Sequence, residues 1–290
     1  MPEQIAEAEP AQMTQMTEEL VKTPDLEARL DQLTKDVKER TDKERERARQ
    51  ALEAVLPAAT IRRALTLFDY LAEMRDAEVV RAALEGDKYD LHGIAVVLNY
   101  DPRNHARHFE PGMKIRGTDS DIFKGDILIK DNHINDEGFA KKLRRAMEID
   151  SAVLVDIAGY ALHSGYTISL AHGHSRVLKD HPVAKASFAR MGYYAEPGTR
   201  HRNIFAGTAL LDDLVVLTLK SDAPQVRIIY RGQVLHSTCE GEASYQKPAP
   251  SLYASFQKAA TAAAAAVASA FSGVYREAGR ALSTLAAKLP

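Results

Sequence analysis

The apolar positions of the chain follow two periods in succession. From residue 18 to residue 85 they recur at helical spacing. Leu26, Leu30, Leu33 and Val37 stand at i, i+4, i+7 and i+11, which is one helix stripe and the spacing of a short coiled-coil seam. Pro57 interrupts the run, and Ile61, Leu65, Phe68 and Leu71 form a second stripe beyond it. After Gly86 the period shortens. Residues 92–99 are a short apolar run opened by Gly93, and residues 126–130, 152–156, 160–170, 214–219, 226–230 and 233–235 read as further strands. Arg231 and Gly232 make the last turn. Residues 138–149 keep helical spacing through Phe139, Leu143 and Met147. The mixture predicts an α/β domain over residues 88–240, with a mixed central β-sheet flanked by helices.

Two additions frame that domain: an N-terminal helical, coiled-coil-like arm over residues 18–85, and an alanine-rich C-terminal helix over residues 251–290. The C-terminal helix is expected to pack on the domain or on a second subunit. It carries too few bulky apolar residues and cations for a membrane-surface role. Residues 1–17 are polar and read as a disordered tail.

Composition narrows the function classes. A hydrophobic fraction of 45% supports an ordinary core. The net charge of -2 makes neither nucleic acid nor an anionic membrane an expected partner, and residues 38–50 interleave acids with bases as a solvated helix face does. With Cys239 as the one cysteine, no disulfide framework forms within a chain, which fits a reducing cytoplasm. Residues 1–17 hold neither a basic nor an apolar run, so no signal peptide is expected there, and no apolar stretch is long enough for a membrane span.

Candidate chemistry sits in two places. Gly198, Thr199, Arg200, His201 and Arg202 suit an anion: glycine admits close backbone approach, threonine offers a hydroxyl, and each guanidinium grips phosphate oxygens in a fork. Residues 203–211 read as the helix that follows. Upstream, Asp150 stands before the apolar strand that Ala152 opens, where a carboxylate can hold a divalent cation beside a triphosphate.

Together these segments resemble the diadenylate cyclase family, whose catalytic domain pairs an Asp-Gly-Ala motif at the head of a strand with a downstream Gly-Thr-Arg-His-Arg motif. Here the first is Asp150, Ser151 and Ala152, and the second is unbroken from Gly198 to Arg202. The resemblance covers about half the chain. It implies a metal-dependent nucleotidyltransferase that joins two ATP into cyclic di-AMP across a face-to-face pair of domains, so self-association is expected. It further implies that Asp150 binds Mg²⁺ or Mn²⁺ near the attacking 3′-hydroxyl. Ser151, Ala152 and Gly198 would then line the substrate site, and Thr199, Arg200, His201 and Arg202 would hold the phosphates.

The chain departs from the family pattern at three points. Ser151 replaces the usual glycine, which leaves open a catalytically weakened, nucleotide-binding regulatory protein of the same fold. The interval between Asp150 and Arg200 is long, and the excess, residues 171–195, holds His172, His174 and His181 and reads as a surface insertion rather than a metal site. After the strand at 214–219 come Lys220, Ser221 and Asp222, which makes Asp222 a second metal-side candidate.

Overall fold

The computed structural model describes residues 24–112, 121–123, 129–148, 152–170, 173–190, 199–221 and 223–239. The expected tail at 1–17 and the alanine-rich helix at 251–290 lie outside them, as does most of the strand expected at 126–130.

Two long helices come first, α1 (Pro24–Glu53) and α2 (Ala58–Glu85). Pro57, at φ -65°, sets the entry to α2, and Gly86 ends it in the left-handed region at φ 69°, its N–H donating to the Ala82 carbonyl. The helices form a hairpin packed on the sheet. Ala48 and Leu52 of α1, with Leu65, Phe68 and Leu71 of α2, share one core with the strands. Of the stripe at 26–37, Val37 is buried, while Leu30 and Leu33 are half-buried.

The sheet comprises β1 (Ile94–Tyr100), β2 (Phe109–Pro111), β3 (Ala152–Asp156), β4 (Ala161–Ile168), β5 (Val215–Leu219), β6 (Val226–Tyr230) and β7 (Gln233–Ser237). The order is β2-β4-β3-β1-β5-β6-β7. β1 and β3 are parallel neighbours, and the other neighbouring pairs are antiparallel. α3 (Pro102–His105) and a 3₁₀ turn (Ala106–His108) lead into β2, and α4 (Phe139–Met147) precedes β3. Both faces are covered, so the central strands are mostly apolar. Ile94, Val96 and Leu98 face α1, α2 and α4, whereas Ala95 and Val97 face α5 (His174–Asp180), α6 (Pro182–Arg190) and α7 (Thr199–Leu210). The expected mixed α/β sheet flanked by helices is therefore the fold.

Residues 173–190 correct the expectation of a surface insertion. Val177, Leu178 and Ala184 are core residues, Ser187 Oγ accepts the Val234 N–H at 3.0 Å, and Phe188 stacks edge-on to Phe205. His181 is buried, and its Nδ1 accepts the Ala184 N–H at 3.2 Å, a capping role at the start of α6. Burial pushes its pKa down.

His236, on β7, lies under the hairpin with its ring edge-on to Phe68. Burial, reinforced by the charges of Arg47 and Arg75, pushes its pKa down to about 4. An unfolded histidine titrates near 6.5, so between those values the unfolded chain binds the extra proton. The stability that neutral His236 supplies is complete above pH ~6.5 and falls by about 3 kcal/mol as the pH drops toward 4. Denaturation across that window should show this slope in the wild type and a shallower one in His236→Gln. Equal slopes would remove His236 from the acid response.

Candidate functional site

The head of β3 is fixed from both sides: Ala152 pairs with Ala95 of β1 and with Tyr166 of β4. Ala95 also pairs with Thr218 of β5, so the end of β5 and the turn after it lie at the same end of the sheet as the head of β3. Leu91 N–H donates to the Ser221 carbonyl there. Asp150, Ser151, Gly198 and Asp222 themselves lie outside the described residues.

Ala152 belongs to the core cluster on the α7 side of the sheet. α7 starts at Thr199, not at residue 203, so Thr199, Arg200, His201 and Arg202 form its first turn. Apolar burial begins only at Ile204, which is why the hydrophobic pattern hid those four residues. A first helical turn leaves backbone N–H groups without intrahelical partners, and these favour an anion. The rest of α7 is clamped. Gly207 lies so close to Ile168, at the end of β4, that a Cβ there would sit 2.9 Å from the isoleucine. Thr208 Oγ1 accepts the Gly232 N–H at 3.1 Å and donates to the Ile204 carbonyl at 2.8 Å. His201 and Arg202 are half-buried.

A polar cluster that the pattern did not reveal borders the same face. Gly165, at φ +83°, bulges β4, so that His163 stands opposite Leu154 and Tyr166 opposite Ala152. Both partners point to the α7 side. Asp121 Oδ2 is 2.9 Å from His163 Nδ1, while its Oδ1 accepts the Ser164 N–H at 2.7 Å and the Ser164 hydroxyl at 3.0 Å. The carboxylate thus orients the imidazole and leaves Nε2 on the far side of the ring. The His163 and Tyr166 ring centroids are 4.8 Å apart, and burial followed by the Asp121 charge raises the Tyr166 pKa. Asp121 and His163 are 42 residues apart, so spacing carried no signal of the pair.

No protein-family model matches the chain, and none of the curated proteins does. A solved structure described as a hypothetical membrane spanning protein from Bacillus cereus is similar at 13% identity and a TM-score of 0.29, over 73% of this chain and 95% of that one. So weak a superposition carries no argument for fold or function. Among the described residues no helix is long and apolar enough to cross a membrane.

Among the described residues no three His, Cys, Asp or Glu side chains form a group that could hold a metal ion. Asp150, which the motif assigns to Mg²⁺ or Mn²⁺, and the second candidate Asp222 are outside that set. Lys220 and Ser221 on one side and Ala223 on the other bring the chain to the sheet end that Ala152 opens.

Proposed function

We propose that this protein is a diadenylate cyclase, a nucleotidyltransferase that converts two ATP into cyclic di-AMP and two pyrophosphates. The reading rests on one juxtaposition. The Arg-His-Arg motif opens a helix seated on the face of the sheet toward which Ala152, the first residue of β3, points. In this reading each ATP's 3′-hydroxyl attacks the other's α-phosphorus. Two phosphoester bonds form, two pyrophosphates leave, and two protons pass to solvent. Thr199, Arg200, His201 and Arg202, in the first turn of α7, bind and orient the phosphates. Asp150, with Asp222 as a second candidate, would hold the Mg²⁺ or Mn²⁺. That ion, when bound, neutralises triphosphate charge. Because one domain presents one ATP, a second copy of the chain supplies the other half.

Purified protein incubated with ATP and Mn²⁺ should yield a product with the mass of cyclic di-AMP, with specific activity that falls on dilution. ATP binding without that product would favour the nucleotide-binding regulatory protein to which Ser151 points. Failure to bind ATP would end both readings.

A further inference from the structure

A cavity lies at the end of β3 away from Ala152. Ala152 opens that strand, whereas Ala158, in the turn beyond it, lines a cavity of about 400 Å³. Five strand residues at about 3.3 Å each separate the two positions by roughly 15 Å or more. One wall is a stripe of α2. Ala59, Arg62, Arg63 and Thr66 recur at i, i+3, i+4 and i+7 and so share a helix face. The opposite wall is His133, Ile134 and Asn135, and Arg45 of α1 closes one side.

The charge in this cavity is one-sided. Three arginines and a histidine line it, with no carboxylate among the lining residues. Arg45 is committed to Asp69, at 2.7 Å. Neither Arg62 nor Arg63 makes an ion pair with a carboxylate among the described residues. The Arg63 guanidinium is half-buried, and Nη2 has only neutral acceptors, Asn99 Oδ1 at 3.2 Å and Thr60 Oγ1 at 3.3 Å. Its Nε is buried with no hydrogen-bond partner. Asp156 does not supply the missing counter-charge by contact, because its Oδ1 accepts the N–H groups of Ala158, Gly159 and Tyr160. Burial, with the Arg62 charge, lowers the Arg63 pKa, and Asp156 opposes that shift.

The frame around the two arginines is held in place. Asn99, which meets Arg63, has a positive φ of 63°, a strained backbone for a non-glycine residue, and its Nδ2 donates to the Asp213 carbonyl at 2.9 Å. His133 Nε2 is 3.1 Å from the Ala158 carbonyl, Nδ1 accepts the Asn135 N–H, and the ring packs against Tyr160. A guanidinium withdrawn from water with only neutral partners is unfavourable. A tetrahedral oxyanion would relieve it, since forked N–H donors match phosphate oxygens.

We propose that this cavity binds a phosphate group through Arg62 and Arg63, whether free in solution or carried on a small phosphorylated molecule. The site is separate from the proposed cyclase centre and stands whether or not that reading does. Calorimetric titration of the full chain should be run in an Arg200→Ala/Arg202→Ala background, so that the motif at the start of α7 contributes nothing. Inorganic phosphate, pyrophosphate and AMP are the probes. Saturable one-to-one binding is expected, weakened about tenfold or more by adding Arg62→Ala and Arg63→Ala. Tighter binding of AMP than of either inorganic ion would assign the site to an organic phosphate, and the reverse order to a free ion. Arg62 is exposed, so Arg62→Glu alone tests the site with little risk to folding and should also weaken binding. No binding in the background protein, or binding indifferent to both arginines, overturns the proposal. Absence of cyclic di-AMP from the wild-type protein would count against the cyclase reading alone.

Discussion

Asp150→Asn should reduce cyclic di-AMP formation by roughly a thousandfold or more while ATP binding and the unfolding midpoint stay near wild type. The argument is electrostatic. A carboxylate that holds a divalent cation against the triphosphate supplies several kcal/mol of charge neutralisation in the transition state, and every 1.4 kcal/mol is about tenfold in rate. The amide is close to isosteric with the carboxylate but carries no charge. Arg200→Ala and Arg202→Ala should each weaken ATP binding or turnover by about 2 kcal/mol or more, and lysine should restore little because it lacks the planar fork. Arg202 is half-buried in the first turn of a helix whose residues 204–209 are core. Its removal should therefore leave the clamp at Gly207 and Thr208 in place. Product formation at a normal rate by Asp150→Asn, measured by mass alongside unchanged thermal unfolding, would remove that carboxylate from the chemistry.

The central strands were legible because both faces of the sheet are covered, whereas the short strand β2 was not expected. A central strand buried twice is a largely apolar run, broken only by Asn99 in β1, Thr218 in β5 and Arg227 in β6. The α2 boundaries were legible because proline and glycine act locally. Four further features were hidden, for three physical reasons. The polar first turn of α7 carries no hydrophobic periodicity, so the pattern began the helix four residues late. α6 packs through Ala184 and Ser187, which are small enough to be buried without an apolar signature. The Asp121–His163 contact and the Arg62–Arg63 cavity join segments distant in sequence, and only the fold brings them together. Leu30, Leu33 and Val37 lie on one face of α1, but spacing cannot say which helix lies opposite. From Val37 onward α2 of the same chain fills that place: Thr41 donates a hydrogen bond to Asp76.

That hairpin carries the largest expected effect on stability. Arg75 of α2 has a fully buried side chain, and its guanidinium is shared among three partners at 2.7 Å: Glu44 through Nη1, Asp76 through Nε and Thr41 through Nη2. Glu44 is itself 8% exposed. Two opposite charges removed from water together are tolerable while each completes the other's hydrogen bonds, but either one alone is not. Arg75→Ala leaves the Glu44 carboxyl with only the more distant Arg40, at 3.8 Å, opens a cavity between α1 and α2, and should cost about 3–5 kcal/mol. Arg75→Lys should recover only part, since an ammonium cannot reach three acceptors in that fork. The double variant Arg75→Met/Glu44→Gln should be more stable than the sum of its single changes predicts, because it removes the stranded charge along with its partner. Urea denaturation with an unchanged m-value checks this, since a shifted midpoint at constant slope isolates the loss of stability from any change in compactness. A cost below about 1 kcal/mol for Arg75→Ala would mean that water already reaches this cluster, and that the apolar contacts of Ala48, Leu52, Phe68 and Leu71 hold the hairpin to the sheet without it.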